Sequence, residues 1–136
     1  MNLLRLARMT NRAPFRESAE RTLAAFAPRL AAAPVALPQM LAACEFLLRE
    51  PREVVVVGER GGADTVALLR TLHGNFGPNR VTLLVDSPET RRTLAAGIPA
   101  IESMEKIRGR ASAYVCTNYA CQLPVFEPEE LATLIQ

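Results

Sequence analysis

Tryptophan is absent from this 136-residue chain, aromatic residues make up only 5% of it, and lysine occurs once, at position 106. So few rings leave no platform on which bases could stack. The 16 basic residues are otherwise arginine, and 14 acidic residues are interspersed among them, for a net charge of +2. That mixture makes no basic stripe able to track a phosphate backbone, so a nucleic-acid partner is not expected. Histidine also occurs once. A triad would have to use His73, which sits late in a helix beside Gly74 with no supporting motif. The three cysteines form an odd set without the spacing of a secreted scaffold, which favours a reducing, cytoplasmic compartment. No apolar run approaches the roughly 20 residues of a membrane span, so no membrane partner is expected either. The start, Met1 to Arg16, carries four arginines and no acid. A transit peptide has that composition, and so does a basic amphipathic helix. The helix is preferred, and Leu3-Leu4 is too broken for a secretory core.

What is present is a globular composition, 49% hydrophobic and 22% charged, in a chain long enough for one core. Leu3, Leu4, Leu6, Ala7 and Met9 fit a short helix, and Thr10 to Ala13 a turn. Phe15, Ala19, Thr22, Leu23, Phe26 and Leu30 repeat at helical spacing. Pro28 falls inside that pattern and is expected to kink or end the helix near Ala27. A third helix over 39–49 is expected to bury Met40, Leu41, Cys44, Leu47 and Leu48. The texture changes at Pro51. Glu53 to Gly58 is a β-branched run of the kind buried on both faces of a parallel sheet. Then come a glycine-rich turn at 58–64, a helix over 65–76 with Val66, Leu69, Leu72 and Phe76 inward, and a second strand over 80–86. A helical turn over 88–94, an irregular stretch at 101–107, a strand over 111–116 and a helix over 127–135 complete the chain. The expected fold class is α/β: an N-terminal helical segment, 1–50, and a small three-stranded, mostly parallel module, 51–136.

In open α/β sheets, ligands bind outside the carboxyl ends of the strands. Three turns are expected on that edge: Gly58 to Gly62, Asp86-Ser87-Pro88 and Thr117-Asn118-Tyr119. Gly58, Gly61 and Gly62 are weak candidates for holding a phosphate, since backbone N–H groups at a helix start can bind an anion. Neither a dinucleotide fingerprint nor a P-loop is present, Glu59 and Asp64 oppose an anion, and a plain turn with Asp64 capping the helix is the simpler account. Cys116 and Cys121 point to opposite faces of an unbroken strand and approach each other only if 117–120 turns. No C-x-x-C redox motif exists. Cys116 reads as a buried thiol, and Cys121 as the better candidate for reactivity. Asn118 reads as an Asx-turn residue with ligand binding as the alternative. Cys44, His73, Cys116 and Cys121 would make a zinc set by type, but no short-spaced ligand pair supports it. Neither metal nor cofactor is expected.

The run Ala113-Tyr114-Val115-Cys116-Thr117-Asn118-Tyr119-Ala120-Cys121-Gln122-Leu123-Pro124, followed by Glu127-Pro128-Glu129-Glu130-Leu131, resembles the C-terminal end of one family. This is the thioredoxin-domain-containing proteins related to spermatogenesis-associated protein 20. Asn2 to Thr10, Leu37 to Leu41 and Pro51 to Gly58 are similar to its pattern too, so the likeness spans nearly the whole chain. Its most specific part is Y-V-C-x-N-x-x-C-x-x-P. The resemblance implies a longer architecture: a thioredoxin-like domain with its own redox cysteines, an (α/α) barrel similar to sugar epimerases and six-hairpin glycosidases, then a tail like this chain. Residues 1–50 would then be a remnant of the barrel's last helices. The residues of the family's redox or sugar chemistry are missing here. Cys116, Asn118, Cys121 and Pro124 carry over as signature positions without an assigned role.

The expected function is therefore a non-catalytic C-terminal module, not an enzyme by itself. Its partners would be the barrel and thioredoxin-like domains, or a second copy bound through residues 1–50. The alternatives are a thiol-dependent redox or sugar-processing component using Cys121 or Cys116, and a nucleotide or phosphate binder at the strand ends.

Overall fold

A computed structural model describes residues 1–49, 51–117 and 120–136. The first third is helical: α1 (Asn2–Thr10), α2 (Ala13–Ala32) and α3 (Pro38–Leu48). Then follow β1 (Arg52–Val57), α4 (Ala63–Gly74), β2 (Arg80–Val85), α5 (Pro88–Ala95), β3 (Ser112–Thr117), β4 (Ala120–Cys121) and α6 (Pro128–Leu134). A 3₁₀ turn, Pro99–Ser103, lies between α5 and β3.

The sheet order is β2-β1-β3-β4. β1 and β2 run parallel, as the long helical crossover between them requires. β3 departs from the expected arrangement. It runs antiparallel to β1, with Val57 opposite Ser112 and Glu53 opposite Cys116. β4 pairs antiparallel with β3 through Cys116–Cys121 and Thr117–Ala120. Among the described residues the sheet therefore has four strands and is mixed, rather than three strands and mostly parallel.

Side-chain alternation divides the core in two. Val55, Val57, Val81, Leu83, Val85 and Cys116 face one side, where Leu4, Ala19, Ala43 and Phe46 from the first three helices cover them, together with Ile98, Ile101 and Met104. Val54, Val56, Ala113 and Val115 face the other side, against Leu68 and Leu72 of α4 and Leu131 of α6. The five buried residues Glu53 to Val57 thus serve both faces, which explains the unbroken apolar run. β2 is an edge strand and alternates instead, with Val81, Leu83 and Val85 buried. Arg52 ties α6 to the sheet: its guanidinium donates to the carbonyls of Leu134 (3.1 Å) and Gln136 (2.8 Å).

The helices differ from expectation in detail. α2 continues through Pro28 to Ala32. Proline costs it only the hydrogen bond to the carbonyl of Ala24, which is exposed and can be met by water. In α3 the buried residues are Ala43 and Phe46, while Leu41 and Leu48 face outward, Leu48 being 83% exposed. In α4 the fully buried residues are Thr65, Leu68 and Leu72. Phe76 lies past the helix end and is 94% exposed.

Candidate functional site

The reversed β3 separates the turns that a parallel sheet would have gathered. The carboxyl ends of β1 and β2 bring Gly58, Glu59, Asp86 and Ser87 together around a cleft of about 460 Å³, also lined by Arg91, Glu105 and Lys106. Thr117 ends β3 at the opposite edge, next to the amino end of β1. Asn118 and Tyr119 lie outside the described residues.

At the cleft, the glycine turn is shaped by packing. A Cβ on Gly58 would stand 2.3 Å from Thr65 Oγ1 and 2.8 Å from Ala111 Cβ, so only glycine lets α4 and the start of β3 close over the strand end. Gly61 has φ +83°, a conformation natural to glycine. The Gly58 N–H donates to the Val85 carbonyl (3.1 Å) and the Gly62 N–H to the Glu59 carbonyl (2.9 Å). Asp64 lies inside the first turn of α4 rather than at its cap. Its carboxylate accepts from the backbone N–H of Ala111 (2.7 Å) and of Thr65 (2.8 Å). The Ala111 bond foremost, and then Thr65, holds this carboxyl below the usual range.

Apart from Glu105, the charged side chains lining the cleft are partnered. Asp86 accepts from Thr90 Oγ1 (2.8 Å) and Arg60 Nε (2.6 Å), and these two bonds lower its pKa. Lys106 donates to Glu59 (2.8 Å), which raises the lysine pKa. Arg91 is turned to the protein, donating to the carbonyls of Ile101 (2.7 Å) and Met104 (2.5 Å). Ser87 caps α5 by accepting from the Thr90 N–H (3.1 Å). These pairings tie the rim of the cleft together.

The other end of the sheet holds the less ordinary chemistry. Cys116 and Cys121 are joined in a disulfide, which corrects the reading of Cys116 as a buried free thiol and of Cys121 as a free reactive one. The pairing of β4 with β3 makes them direct cross-strand neighbours. Cys116 is buried and Cys121 exposed. Cys44 is the free cysteine. It lies on α3 and His73 on α4, helices covering opposite faces of the sheet, so the four residues of the conceivable zinc set do not meet.

Beside the disulfide stands a group that periodicity passes over. Glu53 is 4% exposed, and its carboxylate meets Arg8 Nε of α1 at 2.9 Å. Burial raises its pKa, against the pull of the Arg8 charge and hydrogen bond. The available signal was a single carboxylate at the head of an otherwise apolar strand, together with an acid-free first helix.

The fold defines a mixed α/β protein with a helical layer on one face and a cross-strand disulfide at one end. Its relatives are recognisable from the whole chain. It is similar to spermatogenesis-associated protein 20 from Homo sapiens, 34% identical over 134 residues, and to the proteins of that name from Rattus norvegicus and Mus musculus, each 32% identical over 134 residues. The match takes in 98% of this chain, so the resemblance drawn from the Tyr114–Pro124 run and its companions is borne out. The chain spans about 17% of the length of each of these curated relatives. No protein-family model matches it, and no solved structure matches it.

Proposed function

We propose that this chain is a non-catalytic module of a spermatogenesis-associated protein 20-type architecture, and that its helical layer docks onto the remainder of such a protein. The observation that carries this reading is the distribution of exposed apolar side chains. Leu3, Leu6, Phe26, Val35, Leu41 and Leu48 are large and exposed, and all lie in the first three helices or the turn joining them. The rest of the described chain exposes two such residues, Phe76 and Leu123. Concentrated apolar surface of this kind marks an interaction face.

In this reading residues 1–50 are a segment continuous with an (α/α) barrel, and 51–136 form the α/β module that closes it. The chain works in the cytoplasm, without nucleic acid, membrane or cofactor, and has no turnover of its own. The partner is the barrel and thioredoxin-like portion of the longer protein.

Light scattering and calorimetry on the chain, alone and mixed with the separately produced remainder of a longer relative, test this. A defined complex is expected, weakened at least tenfold by Leu41→Ser with Leu48→Ser, which removes about 1.4 kcal/mol or more of binding free energy. A chain that stays monomeric and ignores the remainder sinks the proposal. A dimer that the same substitutions dissolve would replace the docking partner with a second copy.

A further inference from the structure

The two sulfurs of the disulfide are unequally placed. Cys116 is 3% exposed within the apolar cluster, whereas Cys121 lies exposed on the short edge strand β4. Thiol–disulfide exchange proceeds by attack of a thiolate on one sulfur and expulsion of the other. Access decides which is attacked, and here it selects Cys121. The departing sulfur is then Cys116, whose charge would be stranded in a buried site unless a proton or a cation meets it.

Glu53 is placed to meet it. It is the register partner of Cys116, so the two side chains rise from the same face with Cβ atoms about 4.5–5.5 Å apart. The Arg8 guanidinium, 2.9 Å from the Glu53 carboxylate, faces it from α1. Val81 of β2 is its other neighbour in the sheet, and α3 brings Ala43 and Phe46 to the same cluster. Among the described residues Arg8 is the charged side chain acting on Glu53.

We propose that Cys116–Cys121 is a thiol–disulfide exchange site for dithiol reductants, attacked at Cys121, with Glu53, in its protonated form, passing a proton to the departing Cys116 sulfur. One sulfur of the dithiol bonds to Cys121 Sγ as the Cys116–Cys121 bond breaks. Cys116 leaves as a thiolate and takes the Glu53 proton, and Arg8 faces the carboxylate charge left behind. The second sulfur of the dithiol then attacks the first, releasing Cys121 and closing the dithiol into its own disulfide. Two electrons pass to the protein. The two protons lost by the dithiol appear on Cys121 and, through solvent, on Glu53. This activity is independent of the docking role proposed above.

The full chain, purified in air, is treated with dithiothreitol and followed by alkylation and mass spectrometry. The bridge is expected to be reduced while the far-ultraviolet dichroism stays native. In Cys116→Ser, Cys121 should form a mixed disulfide with 5,5′-dithiobis(2-nitrobenzoate) at least about tenfold faster than Cys116 does in Cys121→Ser, following access. At a pH low enough for Glu53 to carry its proton, Glu53→Gln should slow reduction about a hundredfold, the low end for a placed proton donor. In the unmutated chain, the rate per dithiothreitol thiolate should fall as the Glu53 carboxyl ionises, and Glu53→Gln should abolish that fall. Equal reactivity of the two cysteines, a bridge opened only by unfolding, or a flat pH profile in the unmutated chain would overturn the proposal. The profile decides the matter even if Glu53→Gln does not fold.

Discussion

Glu53 of β1 stands directly across the sheet from Cys116 of β3, which sets the buried acid of that strand on the same face as the inner cysteine of the disulfide. Arg8 closes the arrangement from the helical layer. One end of the sheet thus joins a covalent bond, an ion pair and the contact between α1 and the strands.

The ion pair makes a prediction of its own. Arg8→Met leaves the Glu53 carboxylate buried without this cation, which costs about 3–5 kcal/mol. The loss has a defined pH dependence. A carboxyl whose folded pKa is raised binds more protons folded than unfolded, so its contribution falls as pH rises from the unfolded carboxylate range through the folded value. Denaturant titrations of Arg8→Met should therefore show the deficit at neutral pH and its shrinkage once Glu53 is protonated. A deficit independent of pH would contradict the account.

Asp64 behaves in the opposite sense. Its folded pKa is lowered by the Ala111 and Thr65 N–H groups, so its stabilisation is present above the unfolded value and disappears as pH falls through the folded one. Asp64→Ala should cost about 1–3 kcal/mol at neutral pH, because it strands the Ala111 donor. Urea midpoints at neutral and strongly acidic pH measure the difference, and the variant gap should narrow in acid.

Gly58→Ala should destabilise by about 1–3 kcal/mol, the usual range for overpacking a filled site. The added methyl runs into Thr65 Oγ1 and Ala111 Cβ. Removing the hydroxyl with Thr65→Ala should recover part of the loss, so a double-mutant cycle is expected to show coupling. Strict additivity would place the strain elsewhere.

Leu72 and Phe76, four residues apart, should respond very differently to truncation. Leu72→Ala opens a cavity against β1 and α6 and should cost about 2–5 kcal/mol. Phe76→Ser, at a side chain 94% exposed, should stay within about 0.5 kcal/mol of the parent. Thermal melts of the two variants are enough to tell.

Those two residues also mark how far the sequence can be read. Leu72 and Phe76 both satisfy helical spacing, but Gly74 ends α4 before Phe76 is reached, and spacing carries no information about where a helix stops. The β-branched run at 54–57 and its long crossover to 80–85 are legible because a strand buried on both faces needs apolar residues at every position. The direction of β3 is not legible. Alternation with a period of two reads the same along either direction, and the connection from Val85 to Ser112 is long enough for both. The mistaken edge for Thr117 follows from that single reversal. α3 is apolar around most of its circumference, so its pattern cannot choose between the Phe46 side and the Leu48 side. The Cys116–Cys121 bond was hidden for a related reason. Five residues of spacing separates two thiols on a straight strand and joins them across a hairpin, and only the turn distinguishes the cases. The Tyr114–Pro124 run pointed correctly to the relatives, through the likeness of a motif rather than through any physical pattern.

With Cys116 and Cys121 bonded to each other, Cys44 is left as the free thiol of the chain, and it sits half-buried on α3, within the helical layer. A maleimide fluorophore would therefore attach at one predetermined spot without any engineering. Its emission would report directly on whatever comes to rest against that layer.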